Sequence, residues 1–234
     1  MGAAVPALLS DLQRPWLWKS SALGVLVVAA FMALLVVASG FEANTPTPGT
    51  VTILLDSAFS LTLTGAAVVG SFSFTRDFGA GCIARRVLLF QRGAVFTGRA
   101  ATATLATGLG GGAIGGGVWL FLSATSKPTG QGMGTVLAFV SIACIGGLWG
   151  FSFGSLIRNH LVSLFVVPAT LVLPGLLPDS LEQIRPLLFP VESLAWAKQL
   201  ALHIPASASL LGAVDWLLMI TTAACLVFSK RDLT

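Results

Sequence analysis

Charge is what this chain has least of. Only 9% of its 234 residues are Asp, Glu, Lys or Arg against 55% that are hydrophobic, and the mean hydropathy is +0.91. Soluble domains carry roughly 25% charged residues, so a soluble fold of this length could not hide so much apolar surface. The solvent is therefore lipid, and no soluble domain is expected. Cysteine is also scarce: Cys82, Cys144 and Cys225 are odd in number and lack any CxxC spacing, which argues against a disulfide framework or a zinc site and leaves them as packing residues. The two histidines, His160 and His203, have no motif-spaced partner and fall on opposite sides of the membrane in the topology derived below, so no catalytic constellation is expected. No GxxxxGK[ST] occurs. The glycine cluster at 108–117 cannot cradle nucleotide phosphates, because it has no lysine and lies in an apolar run.

Long apolar runs are what the chain has in abundance. About 20 apolar residues cross a hydrocarbon core of about 30 Å. Residues 21–40, 51–74, 133–156 and 209–229 qualify directly. Residues 99–122, diluted by glycine, and 161–178, broken by Pro168 and Pro174, bring the expected count to six spans in one all-helical transmembrane domain over 1–234. The first run exceeds the roughly 7–15 apolar residues of a signal-peptide core and follows a patterned segment, so cleavage is not expected.

Positive charge orients the spans, because cytoplasmic loops retain Lys and Arg. With both termini inside, Arg14, Lys19, Arg76, Arg85, Arg86, Arg92, Arg99, Arg158, Lys230 and Arg231 are cytoplasmic, and only Lys127, Arg185 and Lys198 are external. The net charge of +4 then reads as an insertion signal and a contact to anionic membrane lipids, and nucleic acid is not expected as a partner.

Between the spans the pattern changes character. Val5, Leu8, Leu9, Leu12 and Trp16 recur at helical spacing while Ser10, Asp11, Gln13 and Arg14 fill the other face, which predicts an interfacial helix within 1–20, broken by Pro15 and anchored by Trp16, Trp18 and Lys19. Turn-rich connections at 41–50 and 123–132 predict tight external hairpins. Residues 179–208 hold apolar stretches too short to cross, and predict an external segment that dips partway into the membrane and returns. Gly146, Gly150 and Gly154 lie four apart on one face, which predicts close helix packing and leaves open whether those helices also slide as a gate. Asp56 and Asp215 lie in the outer third of their spans. Each is a candidate lining of an outer gate or a counter-charge to a cationic substrate, or else a structural carboxylate snorkelling to the interface.

The stretch 75–99, TRDFGAGCIARRVLLFQRGAVFTGR, is the most distinctive: a basic, half-amphipathic segment between two apolar runs, fit for a membrane surface. Its Thr75, Arg76, Asp77, Phe78, Gly81 and Ile83, followed by Val87, Leu88 and a turn at Arg92, Gly93 and Arg99, resemble the first cytoplasmic loop of ABC-2 type permeases. That loop carries T-R-E-[FY]-x-x-G-[ST]-I; here Asp replaces the Glu, a threonine-proline pair is absent near Phe90 and Gln91, and the loop is one residue short. GSLIRNHLVSLFVVP at 154–168 resembles that family's junction of spans four and five, and Lys230, Arg231 and Asp232 resemble its C-terminal end.

The resemblance implies the membrane subunit of a bacterial ABC exporter in the cell membrane, paired with an identical or similar permease. Separate ABC ATPase subunits would bind ATP and Mg. The cargo would be a drug, as in multidrug or antibiotic resistance, a peptide antibiotic or a lipid-like molecule. Residues 75–98 become a coupling loop in which Arg76, Asp77, Gly81, Ile83, Arg85, Arg86 and Val87 contact an ATPase. On that expectation Asp77 orients the coupling helix by capping it and by opposing the basic residues, Ile83 and Val87 form the seated face, and Arg85 and Arg86 reach lipid phosphate or ATPase acids. Two other classes stay open: an ion- or proton-coupled transporter using Asp56 and Asp215, and a non-transporting membrane component of a sensing or assembly complex.

Overall fold

A computed structural model describes residues 4–38, 48–125, 132–177, 183–184, 187–202 and 209–230. Among them are nine α-helices: α1 (Ala4–Leu12), α2 (Pro15–Ala38), α3 (Pro48–Gly79), α4 (Cys82–Leu89), α5 (Arg92–Thr125), α6 (Gly132–Ile157), α7 (His160–Val172), α8 (Phe189–Ala201) and α9 (Ser209–Lys230). A 3-10 turn, Leu173–Leu176, prolongs α7. Five of the helices (α2, α3, α5, α6 and α9) are long and apolar enough to cross a membrane, and the protein is a multi-pass membrane protein by that measure. His160–Leu176, the expected fifth span, is apolar but shorter than these five.

The helices outrun the expected spans because charge does not end them. Helix α3 continues through Arg76 and Asp77 to Gly79, and α5 begins at Arg92, a full two turns before Arg99. Most of the expected coupling loop is thus helix. Only Ala80–Gly81 and Phe90–Gln91 interrupt it, and Gly81 at φ 67 supplies the left-handed turn that a side-chain-bearing residue would resist. Pro15 is likewise no breaker of a continuing helix. It occupies the first position of α2, where its missing N–H is no loss, so Trp16, Trp18 and Lys19 already belong to that span. Of the expected hairpin at 41–50 and the connection at 123–132, residues 41–47 and 126–131 lie outside the described residues, and so does much of 179–208, with His203, Lys127, Arg185, Arg231 and Asp232; 48–50, 123–125 and 132 belong to α3, α5 and α6.

Helices α3 and α6 form the centre, and glycine sets their distance. A Cβ at Gly146 would come within 2.5 Å of the Leu63 carbonyl oxygen and one at Gly154 within 2.8 Å of that of Ser71; one at Gly150 would overlap the carbonyl of Ala67. This seam meets the prediction of close packing, since lipid offers no hydrophobic drive and helices in it associate through van der Waals contact. It also fixes the register, with Gly154 level with Ser71. Helix α5 packs on the next face of α6 in the same way, Gly111 lying against the Phe139 carbonyl and Gly147 against Thr107.

The start of α7 is locally determined. The Asn159 side chain accepts hydrogen bonds from the N–H groups of Leu161 and Val162, at 3.0 and 3.2 Å, and so caps the helix. Before it, Arg158 closes α6 in a left-handed conformation, φ 57, with its guanidinium 4.8 Å from the Phe78 ring centroid. Helix α8 is wedged among α6, α7, α9 and α3. Phe189 at its start stacks on Trp149, centroids 3.8 Å apart, and Lys198 near its end reaches Asp56 on α3.

Candidate functional site at the basic end of the bundle

Arginines from the α1–α2 turn, α4 and α5 converge where α3 ends and α5 begins, and two short carboxylates hold them. Asp11 of α1 is 2% exposed and faces Arg86 of α4, Arg99 of α5 and Arg14 in the α1–α2 turn; the last two lie at 3.5 Å. Asp77, in the last turns of α3, binds Arg14 and Arg99 together. Ser10 adds an oxygen to Arg86, and the Ser73 carbonyl one to Arg99 at 3.4 Å. Burial lowers the pKa of Arg14, with the neighbouring Arg86 acting in the same direction and Asp11 opposing both. An arginine stays charged regardless, so what the site stores is charge, not a titration.

Within α1, Asp11 points inward while Leu9, two residues before it, is exposed. One oxygen, Asp11 Oδ2, is buried without a hydrogen-bond partner among the described residues. Beside the network Arg76 lays its guanidinium over the Trp16 ring, 3.2 Å from the centroid, which ties the end of α3 to the start of α2. Thr75 Oγ1 lies 3.0 Å from His160 Nδ1, and the imidazole packs on Phe72.

Helix α4 closes this end. Ile83 is 1% exposed and joins a cluster of Phe74 from α3, Phe96 from α5, Phe151 from α6 and Phe228 from α9, with Val87 packed against it. The rings meet edge-on, Phe74 with Phe151 at 5.6 Å and with Phe228 at 5.9 Å. These contacts correct two sequence-based expectations. The Ile83–Val87 face is used inside the chain, because the aromatic cluster is the nearest apolar surface for an eight-residue amphipathic helix. Asp77 does not cap α4, since α3 runs past it and Gly81 begins α4 with no side-chain cap. Arg86 is likewise turned inward to Asp11. Arg85 is exposed and makes no ion pair among the described residues, and Leu88 and Leu89 beside it are 86% and 77% exposed.

At the opposite end the candidate acids are arranged more loosely. Asp56 Oδ2 accepts a hydrogen bond from Lys198 Nζ at 2.8 Å, with both side chains about two-fifths exposed. Asp215 lies on the exposed side of α9 and shares neither an ion pair nor a hydrogen bond with Asp56. Asp56, Ser57 and Ser60 line an open cleft of about 600 Å³ against α2. A second cavity, about 440 Å³ and lined by side chains such as Met32, Leu55, Ile114 and Val118, separates α2 from α3 and α5. Among the described residues no three His, Cys, Asp or Glu side chains gather in a way that could hold a metal ion.

Asp11 is the residue that sequence reading missed. It was one of several polar positions on an amphipathic face, with Arg14 one turn on as the sole hint. The stronger signal is scarcity, because ten basic residues are expected at this end and Asp11, Asp77 and Asp232 are the acids that can answer them. No protein family matches the chain, and no curated protein matches it in sequence.

Proposed function

We propose that this protein is the membrane-spanning subunit of an ATP-driven exporter of the ABC-2 type. Separate ATPase chains would bind ATP and Mg at its basic end. One observation carries the reading: a short basic helix is slung between two over-long spans at the end where arginines collect, in a chain that has no P-loop of its own. Such a helix is built to take a push. Ile83 anchors it in a cluster shared by α3, α5, α6 and α9, and Arg86 anchors it to α1, so a displacement of α4 reaches most of the bundle.

In this reading the basic end and both termini are cytoplasmic, the membrane is a bacterial cell membrane, and His160–Leu176 completes six spans. The segment 179–208 is external, with α8 dipping back among the spans. A second permease subunit, identical or similar, covers the hydroxyl- and acid-bearing cleft along Asp56, Ser57 and Ser60, because a half-exposed ion pair is poorly placed against lipid tails. The apolar cavity between α2, α3 and α5 suits a hydrophobic or lipid-like cargo. The pairing of Asp56 with Lys198 weighs against Asp56 as a free proton or ion site.

The experiment is to purify the chain alone and together with a P-loop ATPase encoded by a neighbouring gene, whose absence would itself count against the reading. The chain alone should hydrolyse no ATP, and the pair should form a complex whose hydrolysis changes when the permease is present. Hydrolysis by the isolated chain, or no complex with the ATPase, ends the proposal.

A further inference from the structure

We infer that the cavity between α2, α3 and α5 seats a membrane phospholipid, one of whose acyl chains, of about sixteen carbons, lies in it. The inference goes beyond the exporter reading and does not rest on it. All three walls belong to helices long and apolar enough to cross a membrane. Toward the basic end α2 is shut against its neighbours: Ser21 Oγ donates to the Ala106 carbonyl at 2.8 Å, and a Cβ at Gly24 or Gly65 would come within 2.8 Å of Val69 or 2.9 Å of Val28. Farther along, the helices part, and a space of about 440 Å³ runs beside α2 as far as Val37. Gly117, in its α5 wall, has nothing within 4 Å of where a Cβ would stand, and the lining residues Ala29, Ala33 and Ala113 are exposed. In the α3–α6 seam small residues bring helices together, whereas here they leave a slot open to the outside.

The lining and the size of the slot decide what fills it. Among the described residues that line it none carries a charge, a hydroxyl or an amide, so water would find no hydrogen-bond partner there. A space with exposed walls among membrane-spanning helices is filled by what surrounds those helices, and that is lipid. An apolar cavity of about 150 Å³ takes the six carbons of benzene, so about three times that volume takes roughly sixteen to eighteen carbons. A helix from a second copy is too thick: over the stretch from Val25 to Val37, about 18 Å of rise, a helix about 10 Å wide displaces on the order of 1,400 Å³. The adjoining connections supply no occupant either, since SGFEANTPT at 39–47 has one large apolar side chain and SKPTGQ at 126–131 has none. Because the slot lies on the half of α2 remote from Arg14 and Lys19, with Leu54 and Leu55 next to Asp56 in its wall, the lipid belongs to the leaflet opposite the basic end.

The test uses the full chain, stripped of lipid in detergent and titrated with didecanoyl, dipalmitoyl and dierucoyl phosphatidylglycerol while bound lipid is counted by native mass spectrometry. One dipalmitoyl lipid should bind tightly, and the shorter and longer chains should bind more weakly. Ala33→Leu with Gly117→Leu, which fills the slot, should lower that affinity about ten-fold or more, as the loss of two buried CH₂ groups already implies. Gly116→Leu, at the neighbouring position outside the lining and with equally open space around it, should leave the affinity unchanged. Added lipid should raise the thermal midpoint of the parent and not that of the double variant. Equal binding in the double variant, equal binding of all three chain lengths, or an equal loss in Gly116→Leu would make the bound lipid part of the general annulus and overturn the inference. Palmitate bound in preference to phospholipid would make the occupant a free acid, and a dimer that sheds the lipid would give the space to a second copy; either result overturns it. Should the double variant fail to fold, the chain-length series on the unsubstituted protein decides. None of these results touches the ATPase complex, so the exporter reading stands or falls separately.

Discussion

The two ends of the bundle hold acids by different means. At the basic end Asp11 and Asp77 bind three arginines in a network that is mostly out of solvent. At the other end Asp56 meets one lysine, and both remain substantially exposed. The chemistry is the same, a carboxylate and a cation, and burial makes the difference. A buried network cannot lose one member without stranding the others, because water is not there to replace it. An exposed pair can, since screening and solvation take over. The ion pairs of the basic end are thereby harder to replace by water than the pair at the opposite end.

Asp11→Ala should break this contrast hardest. Removing it leaves Arg86 and Arg99 facing each other, so we expect a loss of about 3–5 kcal/mol in the stability of the detergent-solubilised protein. The thermal unfolding midpoint should fall accordingly, and a cut within the first twelve residues should become easy for protease. A change no larger than that of a surface substitution would mean the network is ornamental.

The seam joining the ends comes next. Gly150→Ala places a methyl group on the Ala67 carbonyl and should cost about 1–3 kcal/mol through overpacking. Gly116→Ala, where nothing lies within 4 Å, should be neutral or stabilise by up to about 1 kcal/mol from helix propensity. Equal responses at the two positions would refute the seam.

A smaller effect is expected at the edge of the basic end, where Arg76→Ala removes the stacking on Trp16. About 0.5–1 kcal/mol should be lost, with a shift in tryptophan emission that Arg76→Lys only partly restores.

Least of all should follow from Asp56→Ala, at about 0–1 kcal/mol. Exchanging the partners, Asp56→Lys with Lys198→Asp, should recover even that. If the Asp56 variant keeps its stability but transports a cationic cargo poorly, the carboxylate at this end is functional.

Much of the architecture was readable from the residues, and the reasons are local. Span α6 was expected at 133–156 and runs Gly132–Ile157; span α9 was expected at 209–229 and runs Ser209–Lys230. In both, apolar length alone sets the limits. The ends of α3 and α5 differ from the apolar limits because a charged residue ends a span's apolar run without ending its helix, and here Asp77 and Arg99 pair across the two helices. Within 75–98 the short amphipathic helix was legible, but the direction of its apolar face was not. An amphipathic pattern says that Ile83 and Val87 share a face, yet it cannot say whether the chain or a partner covers that face.

What the sequence determined by itself was the solvent, the helical class and the positions of the long spans, because hydrophobic run length and glycine spacing act within one helix or one close pair. Only the tertiary structure decided which carboxylate meets which arginine. Asp11 lies 75 residues from Arg86 and 88 from Arg99, and that meeting depends on how α1 lies across the feet of α3, α4 and α5. The same long-range packing turned Ile83 inward and left Leu88 and Leu89 outside. A helix records which residues lie on each face, but the direction of the core exists only once the other helices have assembled around it.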